Sequence, residues 1–526
     1  MPIRPERVDP RRLHEIAALL DAQIAGDAKP IADAALTGIT HDSRQVRPGD
    51  LYAALPGANT HGARFGRQAA DAGAAAIWTD PAGAEQLGGV GVPVLVSENP
   101  RTRLGEVSAR IYRDPAADLL MIGVTGTNGK TTTSYLVEAG LRAAGHETGL
   151  IGTVETLVAG TRVRSVRTTP EATDVHALLA AMRERGVTAC VMEVSSHALA
   201  YGRVDGIVFD VAGFTNLSQD HLDFHRDLEE YFTTKAGLFT AERARRGVVC
   251  VDDVWGRRLV DRATVPVVTI ATAATGTEAD ADWTVTEREV AASGGSTLTR
   301  LASRDGEILS VSAPLPGDFN VANAALATIL LVTAGVAAAA VVRGISTCEG
   351  VPGRMERVRS THPDEPLVVV DYAHTPDAVQ NVLEALRPST PGKLIVVIGA
   401  GGDRDREKRP AMGAVAAGLA DVVIVTDDNP RSEDPAAIRR SVLAGTTGGS
   451  AEVREIGDRR SAIVAAVEIA AGRADTVLVA GKGHEQGQEV AGTVVPFDDR
   501  VELRAALDAW KPPSAANGSA GGESAR

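Results

Sequence analysis

Residues 124–133 read VTGTNGKTTT, which is typical of a loop that binds phosphate. In such a loop, an apolar strand runs into a glycine turn, and backbone N–H groups cradle the phosphate oxygens. The Lys130 amine can reach the β- and γ-phosphates, and the Thr131 hydroxyl can bind Mg²⁺. The G-x-x-x-x-G-K-[ST] spacing is not met, because Val124 stands five residues before Gly129. The loop therefore begins at Gly126 or Gly123, and an ordinary glycine turn is the alternative.

Two further segments carry side chains of types that can bind metals. CVMEVSSHAL places Glu193 at the end of an apolar strand, where a carboxylate beside a phosphate loop suits Mg²⁺. A solvated acid at a strand end is the alternative for this residue. FTNLSQDHLDFH holds Asp220, His221, Asp223 and His225 within six residues. Zinc is conceivable there, but Mg²⁺ with phosphate is more consistent with the loop, and structural histidines are the alternative.

Two helical segments carry polar residues of less obvious purpose. EEYFTTKAGLF places Lys235 on a helix with apolar neighbours, which by itself indicates a surface lysine whose stem packs on apolar surface. GDFNVANAAL places Asn320 and Asn323 three residues apart, so that they face one way at a helix start. These asparagines are either helix caps or contacts to a nucleotide base.

Residues 426–435 read TDDNPRSEDP and follow the apolar strand DVVIV. Pro430 fixes its own φ, lacks an N–H group and pushes Asn429 toward extended geometry. The chain is therefore stiff where it presents Arg431, whose planar guanidinium can hold a carboxylate through two hydrogen bonds. The segment predicts a site that recognises a carboxylate.

Alternating strands and helices must position these side chains. From Leu119 the apolar runs and helical patterns alternate as in a mostly parallel sheet, and a second doubly wound fold begins near Gly353. Ligands of open α/β sheets bind at the carboxyl ends of the strands. At those ends the chain reads GTNGKTT, EVSSH, DYAH, GAGGDRDREKR, DDNPR and GKGHE. The pattern suggests a cleft between two domains.

The length of 526 residues indicates three or four domains of an α/β protein. We predict a smaller α/β N-terminal domain at residues 1–114 and a central P-loop mononucleotide-binding domain with a mostly parallel sheet at residues 115–352. A Rossmann-like doubly wound C-terminal domain follows at residues 353–511. Residues 512–526 read as a disordered tail rich in Pro, Ser, Gly and Ala.

Composition excludes some classes of protein. The net charge of −14 argues against a nucleic-acid binder that relies on a broad basic surface. The three cysteines are far apart and form neither a metal spacing nor a disulfide framework, which fits a reducing cytosol. The charged N-terminus has no signal-peptide pattern. Residues 324–342 are uncharged, but their many alanines and the break near Gly335 predict a buried helix pair and no membrane span.

Ten motifs, in order over residues 40–500, resemble the Mur ligases of peptidoglycan synthesis. They are TGTNGKTTT, EVSSHAL, FTNLSQDHLDFH, YFTTKAGLF, GDFNVANA, GRMERV, DYAHTPD, GGDRDREKRP, DDNPR and GKGHE. The resemblance implies a cytoplasmic enzyme that adds meso-diaminopimelate to the D-glutamyl γ-carboxylate of UDP-N-acetylmuramoyl-L-alanyl-D-glutamate. ATP is a substrate, an acyl phosphate is the intermediate and Mg²⁺ is the cofactor. The UDP-sugar, ATP and the amino acid are expected on the N-terminal, central and C-terminal domains. We expect a monomer that binds these small molecules and no nucleic acid.

The resemblance also implies roles for individual residues. Catalytic roles fall on Lys130, Glu193, His221 and Lys235. The metal ligands are Thr131, Glu193, His221 and Lys235, and Lys235 matches a lysine that becomes a carbamate and helps to hold a second Mg²⁺. ATP contacts fall on Gly126, Thr127, Asn128, Gly129, Lys130, Thr131, Thr132, Asn323 and Arg354. Contacts to the UDP-substrate fall on His41, Ser43, Ala58, Asn59, Thr60, Thr168, Thr169, Ser195, Tyr201 and Arg203. Contacts to diaminopimelate fall on Arg404, Asp428, Asn429, Pro430, Arg431, Gly481 and Glu485.

Three classes of rival function stay open on sequence alone, and the first of them, a sister ligase, has two forms. A sister ligase that adds lysine is disfavoured by DDNPR, because this motif marks diaminopimelate-adding members and lysine-adding relatives lack its arginine. A folylpolyglutamate-synthetase-like protein is disfavoured by the N-terminal THDSR and GDLYAAL segments. A P-loop switch or motor would hydrolyse ATP in response to a macromolecule. A non-catalytic scaffold is disfavoured by the intact Lys130, Thr131 and Glu193.

Overall fold

The structure is a computed structural model. It describes residues 3–25, 34–57, 59–164, 167–272, 280–290, 296–313, 315, 317–360, 362 and 364–511. The chain folds into two compact units, Met1–Glu349 and Gly350–Arg526, called here the N-terminal unit and the C-terminal unit. The predicted disordered tail lies outside the described residues. The predicted division of the N-terminal unit at residue 114 stays a prediction.

The N-terminal unit begins with a small α/β layer. Its strands are β1 (Arg11–Arg12), β2 (Gln23–Ala25), β3 (Ala35–Leu36), β4 (Gly38–Thr40), β5 (Asp50–Ala53), β6 (Ala76–Thr79) and β7 (Val94–Val96). Its helices are α1 (Leu13–Leu20), α2 (Gly66–Asp71), α3 (Pro81–Gln86) and α4 (Leu104–Ile111). Strands β4 to β7 pair in parallel in the order β2-β7-β6-β5-β4, with β2 antiparallel at one edge, and β1 pairs with β3. Leu51 and Trp78 are fully buried on this sheet and form part of its apolar core.

The rest of the N-terminal unit is built on an eleven-stranded sheet. The strands are β8 (Leu120–Thr125), β9 (Thr148–Ile151), β10 (Glu155–Val158), β11 (Thr161–Arg164), β12 (Ala189–Glu193), β13 (Val211–Phe214), β14 (Gly247–Cys250), β15 (Val267–Ala271), β16 (Trp283–Val290), β17 (Thr297–Ser303) and β18 (Ile308–Ala313). The helices are α5 (Lys130–Ala143), α6 (Ala172–Glu184), α7 (Ser196–Ala200), α8 (Leu228–Ala236), α9 (Val254–Arg262), α10 (Asp318–Thr333) and α11 (Ala338–Ser346). The order is β11-β10-β9-β12-β8-β13-β14-β15-β16-β17-β18.

The centre of this sheet is parallel, as the sequence predicts, and β9, β12, β8, β13, β14, β15 and β16 all run the same way. These central strands are apolar because helices cover both faces of a parallel sheet. The antiparallel additions β10, β11, β17 and β18 were not predicted. Along β17 buried and exposed residues alternate, which is the pattern of a strand with one face in water.

The uncharged segment at residues 324–342 folds as the predicted helix pair. Helix α10 ends at Thr333 and α11 begins at Ala338, and Gly335 takes a φ of +88° between them. Ala324 to Leu331 are buried, so this helix lies in the core. Within the described ranges, no helix combines the length and hydropathy needed to cross a membrane.

The C-terminal unit is the predicted doubly wound fold. Its strands are β19 (Glu356–Val358), β20 (Leu367–Asp371), β21 (Leu394–Ile398), β22 (Val422–Val425), β23 (Glu452–Glu455), β24 (Thr476–Ala480), β25 (Gly487–Val490) and β26 (Thr493–Pro496). Its helices are α12 (Pro376–Leu386), α13 (Lys408–Leu419), α14 (Pro435–Thr446), α15 (Arg459–Ile469) and α16 (Asp499–Ala509). The sheet order is β19-β20-β24-β21-β22-β23, with only β19 antiparallel. The hairpin β25–β26 was not predicted.

Across the described part of both units, short 3₁₀ helices occur at Ser43–Gln45, Gly62–Phe65, Pro100–Arg103, Pro115–Asp118, Gly237–Phe239 and Arg387–Ser389.

Candidate active site

The predicted phosphate loop joins the end of β8 to the start of α5. Gly126 and Gly129 have φ values of +142° and +86°, which side-chain-bearing residues rarely adopt. A Cβ atom at Gly126 would clash with the Thr215 hydroxyl, and one at Gly129 would clash with the side-chain oxygen of Asn323. The loop therefore needs glycine at both positions for two independent reasons.

Neighbouring loops hold the phosphate loop in place. The Thr215 hydroxyl donates to the carbonyl oxygen of Asn128 at 2.7 Å, and Asn216 Oδ1 accepts from the Asn128 N–H at 3.0 Å. Lys130 Nζ donates to the carbonyl oxygens of Thr127 at 2.7 Å and Gly126 at 3.0 Å. The amine therefore lies over its own loop, next to the N-terminus of α5, where a phosphate would be expected.

Glu193 ends β12 and is fully buried, so the solvated-acid alternative is wrong. Its Oε2 accepts from the Thr131 hydroxyl at 3.0 Å and from the Thr153 hydroxyl at 2.9 Å, and its Oε1 accepts from the Thr153 N–H at 2.8 Å. A buried carboxylate needs such donors, because an unpaired one would be very costly. These contacts place an acidic oxygen against the Thr131 hydroxyl beside the phosphate loop.

Lys235 lies near the end of α8 and is only 1% exposed, so its interpretation as a surface lysine is wrong. Its Nζ donates to the carbonyl oxygen of Gly126 at 2.8 Å and lies 4.5 Å from the centre of the Tyr231 ring. Burial and the nearby Lys130 charge hold the pKa of Lys235 well below its usual range, although Asp220 opposes them. Burial thus favours the neutral form of this amine.

The histidine motif follows β13 and brings His221 next to Asp220 and His197. His221 has a φ of +56°, its Nε2 lies 3.4 Å from Asp220 Oδ2, and its ring meets that of His197 edge to face at 5.0 Å. Burial lowers the pKa of His221 to about 4, with Asp220 opposing the shift. The imidazole is therefore neutral at neutral pH and can donate a lone pair. Of the remaining motif residues, Asp223 is exposed and His225 is buried.

Asn320 and Asn323 lie inside α10, which begins at Asp318, so the helix-cap alternative is wrong. Asn323 Nδ2 donates to Asn320 Oδ1 at 3.1 Å, and Asn323 Oδ1 accepts from the Thr133 hydroxyl at 3.5 Å. Since a Cβ atom on Gly129 would clash with the same oxygen, Asn323 is adjacent to the phosphate loop.

The Thr168–Thr169 segment meets the end of β12. The Thr168 hydroxyl lies 3.0 Å from that of Thr153, a partner of Glu193, and the Thr169 hydroxyl donates to the Glu193 carbonyl at 2.8 Å. The backbone N–H of Ser195 donates to Thr169 Oγ1 at 3.2 Å. The structure thus joins these predicted substrate contacts to the Glu193 carboxylate and its strand.

The Glu171 carboxylate, beside this segment, forms ion pairs with three arginines. Arg203 Nη2 lies 2.8 Å from its Oε1, Arg101 Nη1 lies 3.9 Å from its Oε2, and Arg167 also pairs with it. The Arg203 guanidinium is mostly withdrawn from water, and burial lowers its pKa, with Glu171 opposing the shift and Arg167 adding to it. The result is a cationic cluster held by one buried acid.

The other residues predicted to bind the UDP-substrate are spread along the N-terminal unit. His41 Nδ1 lies 3.1 Å from the hydroxyl of Thr173 in the first turn of α6, close to the threonine pair. Ser43 is buried and lies 3.4 Å from Gln68 Oε1. Tyr201, Asn59 and Thr60 are exposed. Ala58 lies outside the described residues.

In the C-terminal unit, the DDNPR segment follows β22 and meets the residues after β24. Asn429 Nδ2 donates to Glu485 Oε2 at 2.8 Å, and Asn429 Oδ1 accepts from Lys482 Nζ at 2.7 Å. Asp428 Oδ1 lies 3.6 Å from the same amine. Gly481 has a φ of +115°, and a Cβ atom there would stand 2.6 Å from Asp428 Oδ2. Asp428, Asn429, Gly481 and Glu485 therefore form one cluster at the carboxyl edge of the sheet.

Arg431 is tied to the hairpin β25–β26. It has a φ of +52°, its Nη1 donates to the Gly402 carbonyl at 2.6 Å, and its Nε lies 3.4 Å from Glu489 Oε2. Its backbone N–H donates to the Glu489 carbonyl at 3.0 Å, and its own carbonyl accepts from the Ala491 N–H at 2.7 Å. The guanidinium therefore pairs with a carboxylate of the chain itself, and the predicted contact between Arg431 and diaminopimelate stays a prediction.

The remaining predicted residues of the C-terminal unit are Arg404, Pro430 and Arg354. Arg404 is exposed, and its Cγ lies near the same glycine, Gly401, as the Arg431 guanidinium. Pro430 is buried, and its carbonyl accepts from the Glu433 N–H at 3.0 Å. The Arg354 guanidinium stacks over the Tyr372 ring at 4.4 Å. Arg354 thus belongs to a different unit from the other residues predicted to contact ATP.

Known proteins resemble this chain along most of its length. Residues 35–112 match the model described as Mur ligase family, catalytic domain, residues 124–331 match the Mur ligase middle domain, and residues 353–483 match the Mur ligase glutamate ligase domain. A Streptomyces avermitilis protein named UDP-N-acetylmuramoyl-L-alanyl-D-glutamate–2,6-diaminopimelate ligase is 54% identical over 509 residues, which cover 96% of this chain and 98% of that protein. The chain belongs to the Mur ligase family. It is therefore an ATP-dependent ligase.

Two further likenesses agree with this assignment. A Streptomyces coelicolor protein of the same name is 55% identical over 510 residues, covering 96% of this Mur ligase and 98% of its relative. A solved structure described as that of UDP-N-acetylmuramoyl-L-alanyl-D-glutamate–2,6-diaminopimelate ligase is 34% identical. It superposes with a TM-score of 0.64 over 95% of this chain and 99% of its own. The fold of this Mur ligase is thus that of its family.

Sequence reasoning missed three charged residues that contact the predicted site residues of this Mur ligase. Lys482 stands inside GKGHE, and its place one residue after a glycine at a strand end was a usable signal. Glu171 directly follows the threonine pair, but nothing local shows that three arginines meet it. Glu489 lies on a short hairpin whose pairing with Arg431 depends on contacts distant in sequence.

Proposed function

We propose that this Mur ligase adds meso-diaminopimelate to the D-glutamyl γ-carboxylate of UDP-N-acetylmuramoyl-L-alanyl-D-glutamate, with ATP as the energy source. The observation that carries the proposal is the cluster at the carboxyl edge of the C-terminal sheet. There Asn429 donates to Glu485, Asp428 lies against the Lys482 amine, and Arg431, two residues after Asn429, pairs with the Glu489 carboxylate. Diaminopimelate is lysine with a second amino-acid head, so it brings ammonium groups for the acids and an additional carboxylate for the arginine. The names of the relatives support the same amino acid.

The phosphate loop and its lysine supply the machinery for activating the substrate carboxylate. The γ-carboxylate attacks the γ-phosphate of ATP, and the bond from that phosphate to ADP breaks, which leaves an acyl phosphate. Loop N–H groups and the Lys130 amine stabilise the charge on the transferred group, because catalysis of this transfer is mainly positioning and electrostatics. The neutral amine of diaminopimelate then attacks the acyl carbon, the bond from that carbon to the phosphate oxygen breaks, and the nitrogen releases a proton, which leaves an amide and free phosphate.

The cationic cluster around Glu171 is proposed to hold the UDP-substrate. Arg203, Arg167 and Arg101 surround one carboxylate, so they carry excess positive charge that suits a phosphate- or carboxylate-bearing ligand. Thr168 and Ser195 add hydroxyl groups next to Glu193 and the phosphate loop. We propose that the remainder of the UDP-substrate binds to the region of residues 1–114, through His41, Ser43 and residues 58–60.

Magnesium fits the donor set beside the loop. The Thr131 hydroxyl and the buried Glu193 carboxylate are 3.0 Å apart, and hard oxygen donors of this kind are what Mg²⁺ prefers. Among the residues that the structure describes, no three His, Cys, Asp or Glu side chains are placed to hold a metal by themselves. The remaining ligands would thus come from phosphate oxygens and water, as is usual for Mg²⁺. Bound Mg²⁺ supplies positive charge that neutralises the phosphates.

Lys235 is proposed to carry a carbamate. Its buried amine has a lowered pKa, and the neutral form is the one that attacks CO₂, with an N–C bond formed and a proton released. The product replaces a buried positive charge by a negative one, so its repulsion from Lys130 becomes attraction. The carbamate oxygens and the neutral imidazole of His221 would then hold a second Mg²⁺. A cytoplasmic, monomeric enzyme stays our expectation.

A single assay tests the proposed function. Purified protein is incubated with ATP, Mg²⁺ and the UDP-dipeptide, individual amino acids are added, and products are identified by mass. We expect one amide product with meso-diaminopimelate and ADP release that requires both small substrates. Product formation with L-lysine instead would indicate a sister ligase. ADP release without the amino acid, stimulated by a macromolecule, would indicate a switch or motor.

A further inference from the structure

Lys482 is a buried cation surrounded by the predicted amino-acid site. It stands two residues after the end of β24 and is fully shielded from solvent. Its Nζ donates to Asn429 Oδ1 at 2.7 Å and to the Gly487 carbonyl at 2.8 Å. The carboxylates of Glu485 and Asp428 lie 3.4 and 3.6 Å from the same atom. A buried ammonium group is tolerated only when it is paired in this way.

The amine determines which way the Asn429 amide points. An ammonium group has three donors and no acceptor, so the atom of Asn429 facing it must be the oxygen. The Glu489 N–H donates to that same oxygen at 3.0 Å, which adds a second constraint. The amide nitrogen is thereby turned to Glu485 Oε2, to which it donates at 2.8 Å. Lys482 therefore orients Glu485 both directly and through Asn429.

The contacts of Glu485 leave one oxygen for a ligand. Both of its side-chain contacts, from Asn429 and Lys482, fall on Oε2. Oε1 accepts no hydrogen bond from any residue that the structure describes, and the side chain keeps 32% of its surface exposed. An oriented carboxylate oxygen of this kind is a receptor for an ammonium group.

We propose that Lys482 is a positioning residue for amino-acid recognition: it holds Asn429 and Glu485 in the geometry that receives an ammonium group of the incoming amino acid. This inference rests on the proposed function. Lys482 does not itself pair with that ammonium group, because like charges repel, and its role is exerted through its two neighbours.

The charge of Lys482 should affect the pH dependence of the site, which packing alone would not do. Burial and the Asp428 carboxylate raise the pKa of Glu485, and Lys482 opposes both effects. Arg459 also acts on this acid, and the adjoining hairpin adds Glu489, which is itself paired with Arg431. Removal of the Lys482 charge should therefore raise the pKa of Glu485 further. The site would lose its negative charge at a higher pH than in the wild type.

The test compares Lys482→Met with the wild type in the complete ligation assay. We expect KM for diaminopimelate to rise about 10- to 100-fold, as for loss of a buried hydrogen-bonded partner, while KM for ATP changes little. The pH below which KM for diaminopimelate increases should move upward. Lys482→Gln keeps N–H donors but no charge. Its KM for diaminopimelate should therefore lie between those of the wild type and Lys482→Met, whereas its pH profile should be shifted as far as that of Lys482→Met. It also replaces the methionine variant if that one does not fold.

Asp475→Asn is the matched control. Asp475 is buried at the start of the same strand, where it accepts from the Lys393 and Ala471 N–H groups, at the opposite edge of the sheet. It should lower stability and leave KM and its pH profile unchanged. If both Lys482 variants keep the wild-type KM and pH profile, or change only stability as the control does, the positioning role is overturned. Failure of the wild type to use diaminopimelate would instead overturn the proposed function.

Discussion

Lys235 and Lys130 donate hydrogen bonds to the same carbonyl oxygen, that of Gly126, at 2.8 and 3.0 Å. Two ammonium groups at one acceptor repel each other, and the fully buried partner bears more of the cost. Burial first, and then the Lys130 charge, hold the pKa of Lys235 well below its usual range. The shared carbonyl thus places the two amines close together, and the buried Lys235 amine is the one whose pKa is lowered.

Replacement of Lys130 by alanine should abolish ligation and leave the fold intact, because it removes the point charge on the transferred phosphoryl group. Steady-state product formation and a circular dichroism spectrum measure the two effects. Lys393→Ala, a change at the start of a strand in the other unit, is the control and should stay active. Near-normal turnover in Lys130→Ala would remove the loop lysine from the mechanism.

Lys235→Ala should be nearly inactive, and short carboxylates should partly restore its activity by replacing the missing oxygens. In the wild type, ¹³C-labelled bicarbonate should give a carbamate NMR signal that is absent from the variant. The matched control is Lys130→Ala, which keeps the Lys235 amine and should not be rescued by carboxylates. A fully active Lys235→Ala enzyme would argue against the carbamate.

Gly129→Ala should raise KM for ATP by about tenfold or more, because its Cβ would displace Asn323 and misplace the loop N–H groups. Gly145→Ala is its control, since Gly145 has a similar φ of +90° but a Cβ atom there would meet no other heavy atom within 4 Å. That variant should cost roughly 1–2 kcal/mol of stability from backbone strain and no ATP affinity. Equal KM values in the two variants would contradict the crowding argument.

Arg431→Ala should weaken the use of diaminopimelate by roughly 2–5 kcal/mol, the usual cost of truncating one member of a buried charge pair. Wild type should prefer diaminopimelate to L-lysine by something on the order of 10⁴-fold, since unpaired buried groups reject the smaller analogue. Because lysine lacks the second carboxylate, the variant should narrow this preference. Arg431→Lys should rescue poorly, because an ammonium group cannot reproduce the planar fork.

The measurement for Arg431 is kcat/KM for both amino acids. Arg387→Ala serves as its control, because Arg387 pairs with Asp421 and binds the Thr390 and Gly392 carbonyls at the other end of the sheet. That variant should lose stability without a change in preference. If Arg431→Ala harms both amino acids equally, Arg431 only braces the loop against Gly402 and the hairpin.

The buried imidazole of His176 should make the folded protein less stable in acid. It is fully buried, its Nε2 donates to the Asp205 carbonyl at 3.0 Å, and burial lowers its pKa to about 4. The unfolded chain, with a histidine pKa of about 6.5, binds the proton first as the pH falls. Stability should therefore be complete above about pH 6.5 and fall by roughly 3 kcal/mol on approach to about pH 4.

Urea unfolding of wild type and His176→Gln at neutral and mildly acidic pH measures this loss in the free energy of unfolding. Glutamine retains an N–H donor but does not titrate, so the variant should lose less stability in acid than the wild type. An equal acid loss in both proteins would assign the effect to other groups, such as His221.

The sequence alone determined the local pieces of this protein. Short continuous apolar runs predicted β8, β12, β20, β21, β22 and β24, since a strand covered on both faces must be apolar throughout. The glycines and the Lys-Thr pair of the phosphate loop were readable because the backbone geometry there excludes other residues. The family resemblance supplied residue roles that no spacing rule contains.

Only the tertiary structure decided the electrostatic state of the charged residues. Lys235 meets a carbonyl 109 positions away, and Lys482 meets an asparagine 53 positions away. Burial of an amine depends on such distant partners, so both lysines look like ordinary surface residues in sequence. The hairpin that pairs with Arg431 was missed for the same reason, because its two strands have only four residues each, lie largely at the surface and are specified by what they contact. Local patterns fix backbone geometry, whereas charge and pKa arise from neighbours that folding alone brings together.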